Sequence, residues 1–190
     1  SHTSHPGNIG AAARAMKTMG LSSLYLVNPE FFPDREADAR AVSARDILDK
    51  TKVCSGIDEA LENTVLVAAM TARTRGLSHD VFDARQGARE LLRYARQQPV
   101  ALLFGAETSG LTTAEVNKCQ MIIHIPTNPE FTSLNLASAV QVMAYELRMA
   151  LMEDEEPAVP IESPASFNDL ELLYAHLEQA MIASDFLDPQ

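Results

Sequence analysis

The chain has 190 residues, 46% of them apolar and 22% charged, with a net charge of −11. That length and balance suit one globular domain with a small appendage. No apolar run approaches the roughly 20 residues that a membrane-spanning helix needs, and the acidic excess argues against nucleic-acid binding through the whole surface while leaving room for a local basic patch.

Residues 1–10 read as a turn-like opening, and residues 11–19, rich in alanine, as a short helix closed by Gly20. Residues 24–27 form a buried strand, 36–49 carry helical spacing, 57–61 make a short turn, and 64–69 are a second strand. An amphipathic helix spans 87–97. Strands at 100–104 and 121–125 follow. A loop shaped by Pro126 and Pro129 then leads into a long helix starting at about Thr132 or Ser133. From 136 to 151 that helix is apolar around most of its circumference, which one core cannot satisfy, so a second subunit is expected on it.

Short apolar strands alternating with helices predict an α/β fold with a mostly parallel sheet covered on both faces. Ligands in such sheets collect at the carboxyl ends of strands. Three loops are thereby selected, those after Ala69, Phe104 and Ile125. Beyond residue 152 an acidic, proline-containing linker, 153–165, leads to a helical extension, 166–190. Ser166 and Asp169 form a capping box there, and Leu170, Leu173, Tyr174, Leu177 and Met181 share one face, expected to dock within the chain or a dimer.

Residues 105–112, Gly-Ala-Glu-Thr-Ser-Gly-Leu-Thr, have the two-glycine spacing of a phosphate-binding loop, but Leu111 stands where that motif needs lysine, so nucleotide hydrolysis is rejected. Glycines after a strand let a ligand approach closely, and Glu107 offers an acceptor. Asn8 is expected just before the first helix and Arg14 inside it, spaced to address one cleft. A lone helical arginine is more often a solvated residue. His124 reads as a satisfied core histidine, His79 and His176 as surface, and His2 and His5 as loop. Cys54 and Cys119 are far apart and read as buried, inert thiols. No metal-ligand cluster or Ser-His-Asp order emerges.

Taken together, Pro6-Gly7-Asn8-Ile9-Gly10 with Arg14, Leu103-Phe104-Gly105-Ala106-Glu107 with Gly110-Leu111, and Ile125-Pro126-Thr127 with Ser133-Leu134-Asn135-Leu136-Ala137 resemble the three ordered motifs of the SPOUT class of S-adenosylmethionine-dependent RNA methyltransferases. The resemblance covers residues 3–152. Within the class, residues 4–8, 13–20 and 72–75 are most similar to tRNA ribose 2′-O-methyltransferases acting on nucleotide 32 of the anticodon loop. The resemblance implies a C-terminal trefoil knot, a homodimer, and S-adenosylmethionine held by Met70, Thr71, Ala72, Gly105, Ile125, Thr132, Ser133 and Leu134; a cytoplasmic location is the expectation from the lack of a signal-peptide pattern or membrane-length apolar run. Arg14 is implied as the catalytic residue that clamps phosphate and stabilises the developing alkoxide, with Asn8, Glu107, Ser133 and Asn135 orienting the reactants. Arg73 and Arg75 are expected, with Arg14, to contact RNA. An apolar strand ahead of Thr3 and a basic tail beyond the last helix are also implied. Methylation of ribosomal RNA or another tRNA position, and a noncatalytic knotted RNA-binding dimer, are the alternative readings.

Overall fold

The structure, a computed structural model, describes residues 1–72, 80–153 and 164–188. Helix α1 spans Pro6–Thr18, with Pro6 in its first turn, where a missing N–H costs nothing. It therefore begins five residues earlier than alanine content alone suggested. Strand β1 is Tyr25–Val27, and the expected helix over 36–49 is divided into α2 (Arg35–Ala41), a 3-10 turn (Val42–Ala44) and α3 (Arg45–Asp49). The division falls at Val42, which has φ 52° and ψ −117°, a backbone conformation hostile to a β-branched side chain. Strand β2 (Lys52–Cys54), helix α4 (Ile57–Leu61), strand β3 (Leu66–Met70), strand β4 (Asp80–Asp83) and helix α5 (Ala84–Ala95) follow. After them come β5 (Val100–Phe104), α6 (Thr113–Asn117), β6 (Met121–His124), α7 (Leu136–Glu153) and α8 (Phe167–Ala183).

All the strand pairings are parallel, as expected, but they form two separate ladders, β1-β2 and β4-β6-β3-β5, rather than one sheet. Every residue of β3 is buried, as in a strand covered on both faces. Leu66, Ala68 and Met70 face α5 and α7, where they meet Leu91 and Met143. The alternate residues Val67 and Ala69 face Leu61, Val116 and Phe167 on the other side. A third cluster joins α1, α2, α3 and β1 through Ile9, Met16, Leu26, Ala37 and Ile47. An apolar cleft of about 1070 Å³ lies between the two ladders, walled by β1 and β5. Residues 1 and 2 bridge it by main-chain bonds: the Ser1 nitrogen donates to Phe104 O at 2.7 Å and His2 N–H to Val27 O at 2.8 Å.

Helix α8 has the expected capping box, with Ser166 and Asp169 bonding reciprocally. Its docking is shorter than the stripe predicts. Phe167 is buried and Lys118 pairs with Glu171 at 2.7 Å, whereas Leu172, Leu173, Tyr174 and Leu177 are exposed. Both cysteines are buried and unpaired with each other, and burial pushes the Cys119 thiol up to about 12, which makes it inert. His124 departs from expectation, because its Nδ1 is buried without a hydrogen-bond partner among the described residues. Its place at the carboxyl end of β6, paired with Asp83 of the edge strand, leaves that nitrogen beyond the ladder's own donors and acceptors.

Candidate active site

Strands β3, β5 and β6 end at one level. Met70 is the register partner of Phe104 on one side and of Ile123 on the other, and Thr71 N–H donates to Ile123 O at 3.1 Å. Side-by-side parallel strands must release their following loops at the same edge, so the segments starting at Thr71, Gly105 and Ile125 leave the sheet as neighbours. Met70 and Gly105 are buried there, Thr71 and Ile125 are partly buried, and Ala72 is exposed. Arg73, Arg75 and His79 lie outside the described residues.

In the loop after β5, Gly110 N–H donates to Ala106 O at 2.8 Å and closes a tight turn. A Cβ on Gly105 would collide with the main chain of Gly110 and Leu111. The glycine is thus needed for the loop to fold back on itself.

Helix α7 begins at Leu136, three or four residues later than expected. Asn135 is its N-terminal cap: Oδ1 accepts from Ala137 N–H at 2.9 Å and from Ser138 N–H at 3.3 Å. Thr132, Ser133 and Leu134 consequently remain in a non-helical, exposed stretch, with Thr127 Oγ1 donating to Thr132 O at 3.3 Å.

Glu107 joins these loops to α1. Its carboxylate accepts from Ser4 N–H (3.0 Å), Ser4 Oγ (3.2 Å), His5 N–H (3.4 Å) and Asn8 Nδ2 (2.9 Å). Asn8 Oδ1 in turn accepts from Asn135 Nδ2 at 2.9 Å, so one polar chain runs from the β5 loop through α1 to the cap of α7. Burial pushes the Glu107 carboxyl up, but the bonds from Asn8, Ser4 and His5 outweigh it and hold the group below its ordinary value. A carboxylate held ionised with four donors on it orients its neighbours and has little capacity left to take a proton. Ser4 is the member of this polar chain that the sequence did not single out. The available signal was a hydroxyl and two amides just ahead of a helix that starts at a proline, all needing an acceptor.

Asn8 lies inside the first turn of α1, not before it. Arg14 is therefore six residues further along the same helix, about 9 Å up and about 120° round, so the two do not converge within one chain. The Arg14 side chain is exposed, and its guanidinium has no hydrogen bond or ion pair among the described residues.

Parallel strands whose β5 and β6 loops are tied through α1 at the carboxyl edge accord with the class of RNA-modifying methylases that the motifs resemble. Residues 1–145 match the model of the SpoU rRNA Methylase family, and the chain belongs to that family. Among curated relatives, the tRNA (cytidine/uridine/adenosine-2′-O-)-methyltransferase TrmJ of Pseudomonas aeruginosa is 47% identical over 200 residues, spanning 100% of this chain and 78% of the relative. The tRNA (cytidine/uridine-2′-O-)-methyltransferase TrmJ of Yersinia pestis is 44% identical over 190 residues, spanning 97% and 74%. The crystal structure of TrmJ from Z. mobilis matches with a TM-score of 0.86 at 35% identity, covering 99% of this chain and 80% of that one.

Proposed function

We propose that this protein methylates a ribose 2′-hydroxyl of tRNA at the cytidine or uridine of anticodon-loop position 32, with S-adenosylmethionine as donor. The observation that carries the reading is the Glu107–Asn8–Asn135 chain, which locks the three family motifs into one arrangement at the edge where β3, β5 and β6 end. The residues there fit the cofactor. Thr132, Ser133 and Leu134 keep their main-chain groups out of helix α7, and Met70, Gly105 and Ile125 line the strand ends beside them. Bound there, S-adenosylmethionine supplies a methyl group activated by its sulfonium charge. Thr71, Ala72 and the main chain at 132–134 hold it, while Ser133 Oγ and Asn135 orient the substrate side.

Arg14 is the residue proposed to clamp the adjacent phosphate and stabilise negative charge on the 2′-oxygen. Because α1 turns Arg14 away from the Glu107 hub of its own chain, a homodimer in which one protomer's Arg14 serves the other's hub satisfies the geometry. The composition of α7 supports that assembly. Only Met143, Ala144 and Ala150 are buried in a helix apolar nearly all round, and Tyr145, Leu151 and Met152 are 46%, 48% and 64% exposed. A trefoil knot is supported by β6, the last strand, lying between β3 and β4, so that the chain leaves from the middle of the sheet. The proposed division remains a methyltransferase domain over 1–152, a linker over 153–165 and a helical extension over 166–190.

Incubation with methyl-labelled S-adenosylmethionine and unmodified tRNA, followed by mapping, tests the function. Label on the ribose of nucleotide 32 is the expected result. Label at another tRNA position or in ribosomal RNA would retain the chemistry and replace the substrate. Cofactor binding without any transfer would instead mark a noncatalytic RNA-binding dimer.

A further inference from the structure

Helix α1 comes nearest to α2 at Gly10, which lies against the main chain of Ala37. A Cβ at Gly10 would run into the Ala37 carbonyl and stand 2.9 Å from Arg40 Cβ, and one at Gly7 would stand 2.6 Å from Glu36 Oε1. Gly10 is thus required by the nearness of the second helix. Arg40 consequently leaves α2 directly against Gly10. Arg14 lies one helical turn from Gly10 on the same face of α1, since residues four apart are separated by about 5–6 Å. Two guanidiniums therefore start from adjacent points of one groove.

Their partners differ from those of the neighbouring cations. Lys17, the next residue along that face, is fully engaged, with Nζ 2.7 Å from Ser43 O and 2.6 Å from Asp46. Arg45 is held by Asp38 at 3.2 Å and Asp49 at 3.8 Å. Arg14 has no such partner among the described residues, and Arg40 has only Glu36 at 4.0 Å, with both of those side chains more than half exposed. A solvated pair at that distance contributes little and is readily exchanged for a stronger anion. In a chain of net charge −11, two adjacent and weakly engaged guanidiniums form a local anion site. Val42, two residues after Arg40, ends α2 with a backbone conformation that a β-branched residue rarely adopts.

We propose that Arg40 is a substrate-positioning residue, which together with Arg14 holds one phosphate of the RNA in the α1–α2 groove. The planar forks of two arginines can share the oxygens of one phosphate, a match that ammonium groups do not provide. With the phosphate fixed there, the attached ribose stays beside Arg14, which is where the proposed chemistry needs it. This rests on the reading of the substrate as RNA and adds a residue that the three motifs do not contain.

The test is steady-state methylation of tRNA by the wild type, Arg40→Ala, Arg40→Lys and Arg45→Ala over a range of salt, with melting temperature followed in parallel. Loss of one charged contact should raise the KM for tRNA in Arg40→Ala roughly tenfold. It should also flatten the dependence of log KM on log salt by about 0.7, the contribution of one phosphate in a single-stranded loop. The KM for S-adenosylmethionine, kcat and the melting temperature should stay near wild type. Arg40→Lys should recover the salt slope but only part of the KM, and Arg45→Ala should match the wild type in both. An unchanged slope in Arg40→Ala, or an equal shift in Arg45→Ala, overturns the proposal while leaving the methylation reading intact. Absence of transfer by the wild type removes both.

Discussion

On one side of α1, Asn8 belongs to a polar chain in which each group has its partner, from Ser4 through Glu107 to Asn135. On the α2 side of the same helix, Arg14 and Arg40 stand nearly unpartnered. The first region uses its polar groups to fix the positions of three loops, so its contribution is order. The second leaves its charges open to solvent, and charges of that kind contribute when an anion arrives. A single helix thus holds a preorganised polar chain on one face and, on another, the open guanidiniums proposed to bind RNA phosphate.

The largest expected effect comes from the open face. Arg14→Ala should lower kcat by about 10²–10³, the scale on which a charge-stabilising donor acts, and leave S-adenosylmethionine affinity nearly unchanged in a calorimetric titration. A large loss of cofactor affinity would instead place Arg14 beside the cofactor and erase the contrast between the two faces.

Glu107→Gln attacks the closed face. Replacing the charged acceptor with an amide should destabilise the fold by about 1–2 kcal/mol, toward the low end for hydrogen bonds to a charge because the group is partly exposed. The pH dependence follows from the same group. Its carboxyl is held below its ordinary value of 4.5 in the fold, so its stabilisation is present above that value and disappears as pH falls through the lower, folded one. Chemical unfolding between neutral pH and pH 3 should show the wild type losing stability on acidification and Glu107→Gln losing less. Glu115 is lowered in the same way by Ser1 and Thr112 against the upward push of burial, and it should retain part of the acid sensitivity in the variant.

Asn135→Ala removes both the α7 cap and the last link to Asn8. A loss of about 1 kcal/mol is expected, or about 2–4 °C in melting temperature for a chain of this length, with a larger fall in methylation than in stability. Val42→Gly is the mildest change. The side chain is 57% exposed and its backbone strained, so glycine should be neutral or stabilising by up to about 1 kcal/mol.

Much of the fold was readable from local pattern. The strand at 100–104 has the bounds expected of it, and the capping box at Ser166 starts α8 where predicted. Strand β4 and helix α6 were missed for different reasons. Asp80–Asp83 is a short edge strand with two acids and takes its identity from pairing with β6. Thr113–Asn117 is a single turn, though Thr112 and Glu115 spelled out its capping box. At the site, the sequence pointed to Asn8, Glu107 and Asn135 through motif resemblance. Their direct contact could not be read, because Glu107 and Asn8 are 99 positions apart and Asn135 and Asn8 are 127 apart.

By itself the sequence determined the parallel α/β class, the three strand-end loops and the family, because apolar runs, glycines, prolines and ordered motifs are local properties. Tertiary structure decided which of those polar residues have partners. Whether a carboxylate is saturated, or a guanidinium left open, depends on donors and acceptors that only folding brings within 3 Å of each other.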